Sequence, residues 1–307
     1  DIARAPRSTG SLLKPMLYAA MVHSGEVLPN QLVADIPSRI GAFIPENHTE
    51  EYLGAVPAAH VIAQSLNVPT ARMLQRYGVN RFYALLQDMG MDGLTRRADD
   101  YGIALILGGA ESSLWDMAGM YASMARAATA ASTEPVRFSD PSLRAPRDGR
   151  PDPLSPAAWY LTMQAMQQLQ RPGVEASWER FMSGRDIAWK TGTSYGYRDA
   201  WAIGVTPQHT VAVWVGNASG AGAPGIVGVQ AAGPLMLSLF DLLQGHGTFE
   251  PPRGLVPVDV CTDTGYLAGP NCDRVHQELV PESAVQAQVC AYNIRIALDP
   301  EQALRGN

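Results

Sequence analysis

Lys190-Thr191-Gly192-Thr193-Ser194 takes its meaning from two partners far upstream, Ser11-Leu12-Leu13-Lys14 and Ser65-Leu66-Asn67. A fold that uses all three must gather positions near 11, 65 and 190 at one place, and no local pattern in the chain constrains the architecture as much. Alone, each motif is ordinary. Ser11 suits a helix N-cap, Ser65 and Asn67 suit a turn with self-satisfied side chains, and Lys-Thr-Gly-Thr suits a strand end with a bulge. Their order and spacing together point to a serine acyl-transfer site.

A serine hydroxyl is a poor nucleophile at neutral pH and needs a neighbouring base. Ser11 and Lys14 are three positions apart, so on a helix they share one face. Lys14 can act as base only if its pKa falls, which burial and a second cation both favour, and Lys190 is the candidate for that cation. Ser65 and Asn67 supply a hydroxyl and an amide for proton relay and substrate anchoring. The segment Asp186–Thr193 reads as a strand. Within it Gly192, lacking a Cβ, would let a ligand backbone approach closely. Lys190 and Thr193 would bind a carboxylate, and the N–H groups of Ser11 and Thr193 would form an oxyanion hole.

With these residues in place, the chain resembles the transpeptidase domain of class A penicillin-binding proteins. The likeness runs through Pro6-Arg7-Ser8-Thr9-Gly10-Ser11-Leu12-Leu13-Lys14-Pro15, Ser65-Leu66-Asn67-Val68-Pro69, Leu105-Ile106-Leu107-Gly108-Gly109-Ala110 and the long block from Lys190 to Gly204. It implies an α+β fold of the penicillin-binding protein/β-lactamase type, with an antiparallel sheet flanked by helices and a helical subdomain. It implies a serine D,D-transpeptidase that cross-links peptidoglycan stem peptides on the periplasmic or extracytoplasmic face of a bacterial inner membrane and is acylated by β-lactams. By position, Ser11 is implied as nucleophile, Lys14 as base, Ser65 and Asn67 as the second motif, and Lys190, Thr191 and Thr193 as the carboxylate-binding strand. The family also implies a membrane anchor, a glycosyltransferase domain and two sheet strands ahead of the nucleophile. Only ten residues precede Ser11, so an N-terminally truncated piece is expected.

Related chemistries divide on single features. A class A β-lactamase needs a deacylating carboxylate, usually in Glu-x-x-Leu-Asn, and no such pentapeptide lies between Asn67 and Lys190. A D,D-carboxypeptidase shares every motif, and a non-catalytic penicillin- or muropeptide-binding module is the remaining alternative. No metal or cofactor is expected: the six histidines form no His-Glu-x-x-His unit. A net charge of −6 provides no basic field for nucleic acid. With 46% hydrophobic and 17% charged residues the chain can bury a large core. The longest apolar run, Gly102–Ala110, is too short to span a bilayer.

The pattern divides the chain into a transpeptidase domain over 1–245 and a Pro/Gly-rich tail over 246–307. Helices are predicted over Ser11–Ser24, Ala58–Gln64, Thr70–Tyr77, Arg81–Met89, Ser112–Arg126, Ala157–Leu169 and Gln230–Leu243, with a polar excursion over 27–56 and an exposed insertion over Thr129–Pro156 carrying Arg137, Arg144, Arg147 and Arg150. Strands are predicted over Asp186–Thr193, Asp199–Val205 and Thr210–Gly216 as a meander. Cys261, Cys272 and Cys290 all fall in the tail. Their separations of eleven and eighteen lack a Cys-x-x-Cys unit, so a local disulfide with one thiol left over is expected rather than zinc.

Overall fold

The computed structural model describes residues 2–129, 152–168, 186–245 and 247–295, and the four arginines of the expected insertion lie outside these. In chain order the elements are β1 (Arg7–Ser8), α1 (Lys14–His23), β2 (Leu32–Asp35), β3 (Gly54–Pro57), α2 (Ala58–Gln64), α3 (Asn67–Tyr77), α4 (Val79–Asp88), α5 (Ala98–Tyr101), β4 (Glu111–Ser112), α6 (Leu114–Thr129), α7 (Pro156–Gln167), β5 (Ala188–Thr193), β6 (Asp199–Val205), β7 (Thr210–Gly216), α8 (Gly233–Asp241), β8 (Leu255–Cys261) and β9 (Val275–Pro281).

Helix α1 is the axis of the molecule. Every residue from Lys14 to Val22 is buried, as expected of a helix that is apolar on all sides. Helices α2, α3 and α7 pack around it. The methionine-bearing stripe of α6 joins the same core through Met117, Met120, Tyr121 and Met124. Met suits this place because its unbranched thioether fills irregular gaps between helices.

Strands β5, β6 and β7 form an antiparallel meander with β6 in the centre. All seven residues of β6 are buried, and its run Ala-Trp-Ala-Ile-Gly-Val shows no alternation because both faces are covered. Helices α6 and α7 pack on one side, and a π-helical turn over Gly228–Ala232 continuing into α8 covers the other. Gly204 makes that second contact possible, since a Cβ there would meet the Phe240 ring at 2.7 Å and the Met236 sulfur at 2.8 Å. The fold is thus α+β, with the helices and antiparallel sheet that the motifs implied. The predicted final helix differs in one respect: its first turn is π-helical, and the α-helical part begins only at Gly233.

Two strand pairs were hidden from the composition. The polar excursion contains the hairpin β2–β3. The tail contains the longer hairpin β8–β9, registered from Leu255↔Pro281 to Cys261↔Val275. Val256, Val258 and Val260 face a small core there with Leu28 and Val280, a period-two pattern that the surrounding Pro and Gly disguise. The hairpin docks behind α1, where the Ser283 hydroxyl donates to the His23 carbonyl at 2.6 Å. Among the described residues no helix is long and apolar enough to cross a membrane.

Candidate active site

The nucleophile segment is a turn before it is a helix. Gly10 adopts φ +54°, and Leu12 and Lys14 donate their backbone N–H groups to the carbonyls three residues earlier. Ser11 therefore sits one tight turn ahead of α1, which begins at Lys14 rather than at Ser11. The turn is fixed from several sides. The Ser8 hydroxyl donates to Gly108 O at 2.7 Å, Trp201 Nε1 donates to Ser8 O at 2.8 Å, and the Tyr121 hydroxyl donates to Leu12 O at 2.7 Å.

Two glycines let this turn close on strand β5. A Cβ on Gly10 would lie 2.6 Å from Thr193 N, and a Cβ on Gly192 would lie 2.6 Å from Thr9 O. The close approach expected at Gly192 is therefore made by the chain's own Thr9–Leu12 segment, not by a ligand backbone. The contact sets Ser11 beside the Thr193 end of β5. Among the described residues β5 pairs only with β6, and its Thr191 and Thr193 line the cleft.

The second motif arrives differently from the loop expected. Ser65 ends α2 in the left-handed region at φ +55°, ψ +37°, sparsely populated by residues other than glycine. Asn67 is already the first residue of α3, with Pro69 in the first turn, where its missing N–H costs nothing. This sharp reversal presents the Ser65 carbonyl, the Leu66 carbonyl and the Asn67 side chain to one point. Lys14 Nζ occupies that point, donating to Ser65 O at 2.7 Å, Leu66 O at 3.1 Å and Asn67 Oδ1 at 2.7 Å. Lys190 Nζ reaches the same serine from the sheet, donating to Ser65 Oγ at 2.7 Å and to Thr191 O at 2.8 Å. Both lysines are completely buried. Two buried amino groups so placed repel when both are charged.

The cleft has a volume of about 310 Å³ and is lined by Ser11, Ser65, Asn67, Thr191 and Thr193 among others. The Thr193 hydroxyl accepts from Gly228 N at 3.0 Å. Sequence reasoning missed the outer support. Asn47, buried in the polar excursion, accepts from Asn67 N and Val68 N through Oδ1 at 2.9 and 3.1 Å. Its amide donates to Asp35 Oδ1 at 2.8 Å and Glu51 O at 2.9 Å. It thus fills the capping role at the N-terminus of α3 from twenty residues away. His48 and Thr49 beside it line the cleft. No periodicity or motif marks these residues in the sequence.

Residues 2–236 match the family model described as the penicillin binding protein transpeptidase domain. The chain belongs to that family. Penicillin-binding protein 1C of Escherichia coli (strain K12) is 35% identical over 251 residues, covering 82% of this chain and 31% of that protein. Penicillin-binding protein 1F of Bacillus subtilis (strain 168) is 30% identical over 228 residues, covering 69% of this chain and 30% of its own length. The chain thus spans about a third of the curated relatives it matches. In fold it is similar to penicillin-binding protein 1A from Haemophilus influenzae, with a TM-score of 0.71 at 20% identity over 92% of this chain and 49% of that one. It is similar also to the PonA1 protein from Mycobacterium tuberculosis in complex with penicillin V, with a TM-score of 0.61 at 22% identity over 82% of this chain and 73% of that one. The three motifs fall inside the matched penicillin-binding transpeptidase stretch, whereas hairpin β8–β9 and the three cysteines lie beyond it.

Proposed function

We propose that this penicillin-binding transpeptidase domain is a serine D,D-transpeptidase that cross-links peptidoglycan stem peptides through an acyl-enzyme on Ser11, on the extracytoplasmic face of a bacterial inner membrane. The observation that carries the reading is the clamp on Ser65, with the buried amine of Lys14 on its carbonyl and that of Lys190 on its hydroxyl. Ser11 Oγ attacks the penultimate D-alanine carbonyl carbon while its proton passes to Lys14 acting as the neutral amine. The tetrahedral oxyanion is held by the N–H groups of Ser11 and Thr193. Collapse breaks the peptide bond, and the departing D-alanine amine takes the proton through the Ser65 hydroxyl, which Lys190 orients. An acceptor amine then attacks the ester and restores Ser11. The free side of β5 receives the stem peptide as an added strand, and Thr191 and Thr193 bind its carboxylate. Gly192 serves by letting β5 meet the nucleophile turn. A β-lactam follows the first half of this course and stays on Ser11; the PonA1 relative in fold, solved with penicillin V, supports that reading.

Intact-mass measurement after incubation with a β-lactam tests the proposal. A single acyl adduct that vanishes in Ser11→Ala is expected. A folded sample with no adduct, or an adduct that persists in the variant, would overturn it. Supplying a stem peptide with and without an acceptor amine separates transpeptidation from simple carboxypeptidase release.

A further inference from the structure

The tail was expected to hold a disulfide, but it gathers three free thiols. Cys261, Cys272 and Cys290 place their sulfur atoms within 4.8 Å of one another. The convergence is built by backbone, not by sequence proximity. Cys261 ends β8 and turns back, with its N–H on Tyr266 O and its carbonyl accepting from Gly265 N, both at 2.8 Å. Leu267 bridges to Val289, and Cys290 N donates to Leu267 O at 2.8 Å. The turn over 269–272 carries Cys272 to the same point, with Cys272 N on Gly269 O.

The surroundings of the sulfurs are dominated by donors. The Thr264 hydroxyl donates to Cys290 Sγ at 3.3 Å, Gly269 N to Cys272 Sγ at 3.3 Å and Asn293 Nδ2 to Cys261 Sγ at 3.4 Å. The backbone N–H groups of Tyr292 and Asn293 also donate to Cys290. Donors aimed at sulfur favour thiolate, and a disulfide sulfur makes little use of them. Three thiolates packed this closely repel one another unless a cation lies between them.

We propose that Cys261, Cys272 and Cys290 form a binding site for a thiophilic divalent cation of the zinc type, separate from the acyl-transfer cleft. Zinc takes thiolate ligands tetrahedrally. Among the described residues no His, Asp or Glu joins the three sulfurs, so a solvent molecule takes the fourth position on the half-exposed Cys272 side. Binding releases the thiol protons and ties three turns together with no change of oxidation state. Because hairpin β8–β9 docks on α1 through Ser283 and His23, the ion secures the packing behind the helix that carries Lys14.

The test uses the 307-residue chain purified without reductant or chelator from cells supplied with zinc. Metal analysis after desalting should find one zinc per chain, and thiol titration in denaturant with chelator should find three free thiols. Cobalt(II) exchanged into the site should produce thiolate charge-transfer absorption and the intense visible bands of a tetrahedral ion. Each single Cys→Ser variant should lose the bound metal, and Ser11→Ala should keep it. One free thiol with a mass two hydrogens lower would reveal a disulfide and overturn the proposal. Three thiols that still take up no zinc or cobalt would overturn it equally. Neither wild-type count depends on a variant folding.

Discussion

The cleft and the tail each concentrate polar atoms where water is scarce, and they do so with opposite chemistry. In the cleft, carbonyl, amide and hydroxyl oxygens surround two buried amines: Lys14 meets at least three oxygens and Lys190 at least two. In the tail, hydroxyl and N–H donors surround three sulfurs. A buried group settles in the charge state its neighbours are arranged to stabilise: the oxygens favour charge on each amine while the closeness of the two amines opposes it, and the donors of the tail favour thiolate. The cleft is assembled from three segments far apart in the chain and held by tertiary packing. The tail site comes from thirty residues held mainly by their own turns and one hairpin. The first should accordingly be sensitive to remote packing changes and the second to metal and oxidant.

The largest separation of the two sites should come from Lys14→Met, which keeps the length and burial of the side chain but removes the amine. Loss of a general base lowers rates roughly a hundred- to ten-thousand-fold, so stopped-flow acylation by a β-lactam should slow by that order while zinc content stays at one. Acylation at the wild-type rate would remove Lys14 from the proton path. A simultaneous loss of zinc would show that the sites are not independent and break the comparison.

Asn47→Ala probes the outer support of the cleft. It strips the acceptor from Asn67 N and Val68 N and leaves Asp35 Oδ1 without its amide donor. Leaving buried polar groups unpaired costs about 1–3 kcal/mol, which chemical denaturation should detect. Acylation should slow as well, because Asn67 Oδ1 loses its fixed place beside Lys14. Asn47→Asp keeps an acceptor oxygen toward the two N–H groups but sets its other oxygen against Asp35 Oδ1 and Glu51 O, so it should recover only part of the acylation rate. A stability loss with no change in acylation would make Asn47 a structural residue only.

The contrast between the sites also explains what could be read before any coordinates. The meeting of the three motifs around Ser65 was legible in their order and spacing, and strands β6 and β7 were legible because apolar runs bounded by turn residues have few other uses. The helical state of Asn67 was not legible: Pro69 fits a loop leading into the next helix as well as a first turn, and the acceptor for Asn67 N and Val68 N comes from the distant Asn47 side chain. Nor was the partner of Gly192, since a missing Cβ records that something approaches and not what. The tail resisted most. Spacings of eleven and eighteen between cysteines carry no geometric signature, and the turn after β8 and the Leu267–Val289 bridge that align the sulfurs are properties of backbone pairing.

The smallest expected effect lies where the two regions meet, at His23. Its Nδ1 accepts from Ser155 N at 3.2 Å, its carbonyl receives the Ser283 hydroxyl from the tail, and it closes the last turn of α1. A helix C-terminus favours a positive imidazole and so does the Asp152 carboxylate, yet burial wins and holds the pKa below 6.5. The unfolded chain therefore binds the proton more readily than the folded one. The neutral-His23 contribution to stability is complete above about 6.5 and is lost as pH falls from there through the lower folded value. In His23→Asn the side-chain oxygen replaces Nδ1 as acceptor without titrating. Denaturant midpoints measured from neutral pH downward should fall less steeply for this variant than for the parent, with the curves diverging only below about 6.5. Parallel curves would mean that the proton on His23 is not felt by the joint between α1 and the tail, and that the two regions respond to acid separately.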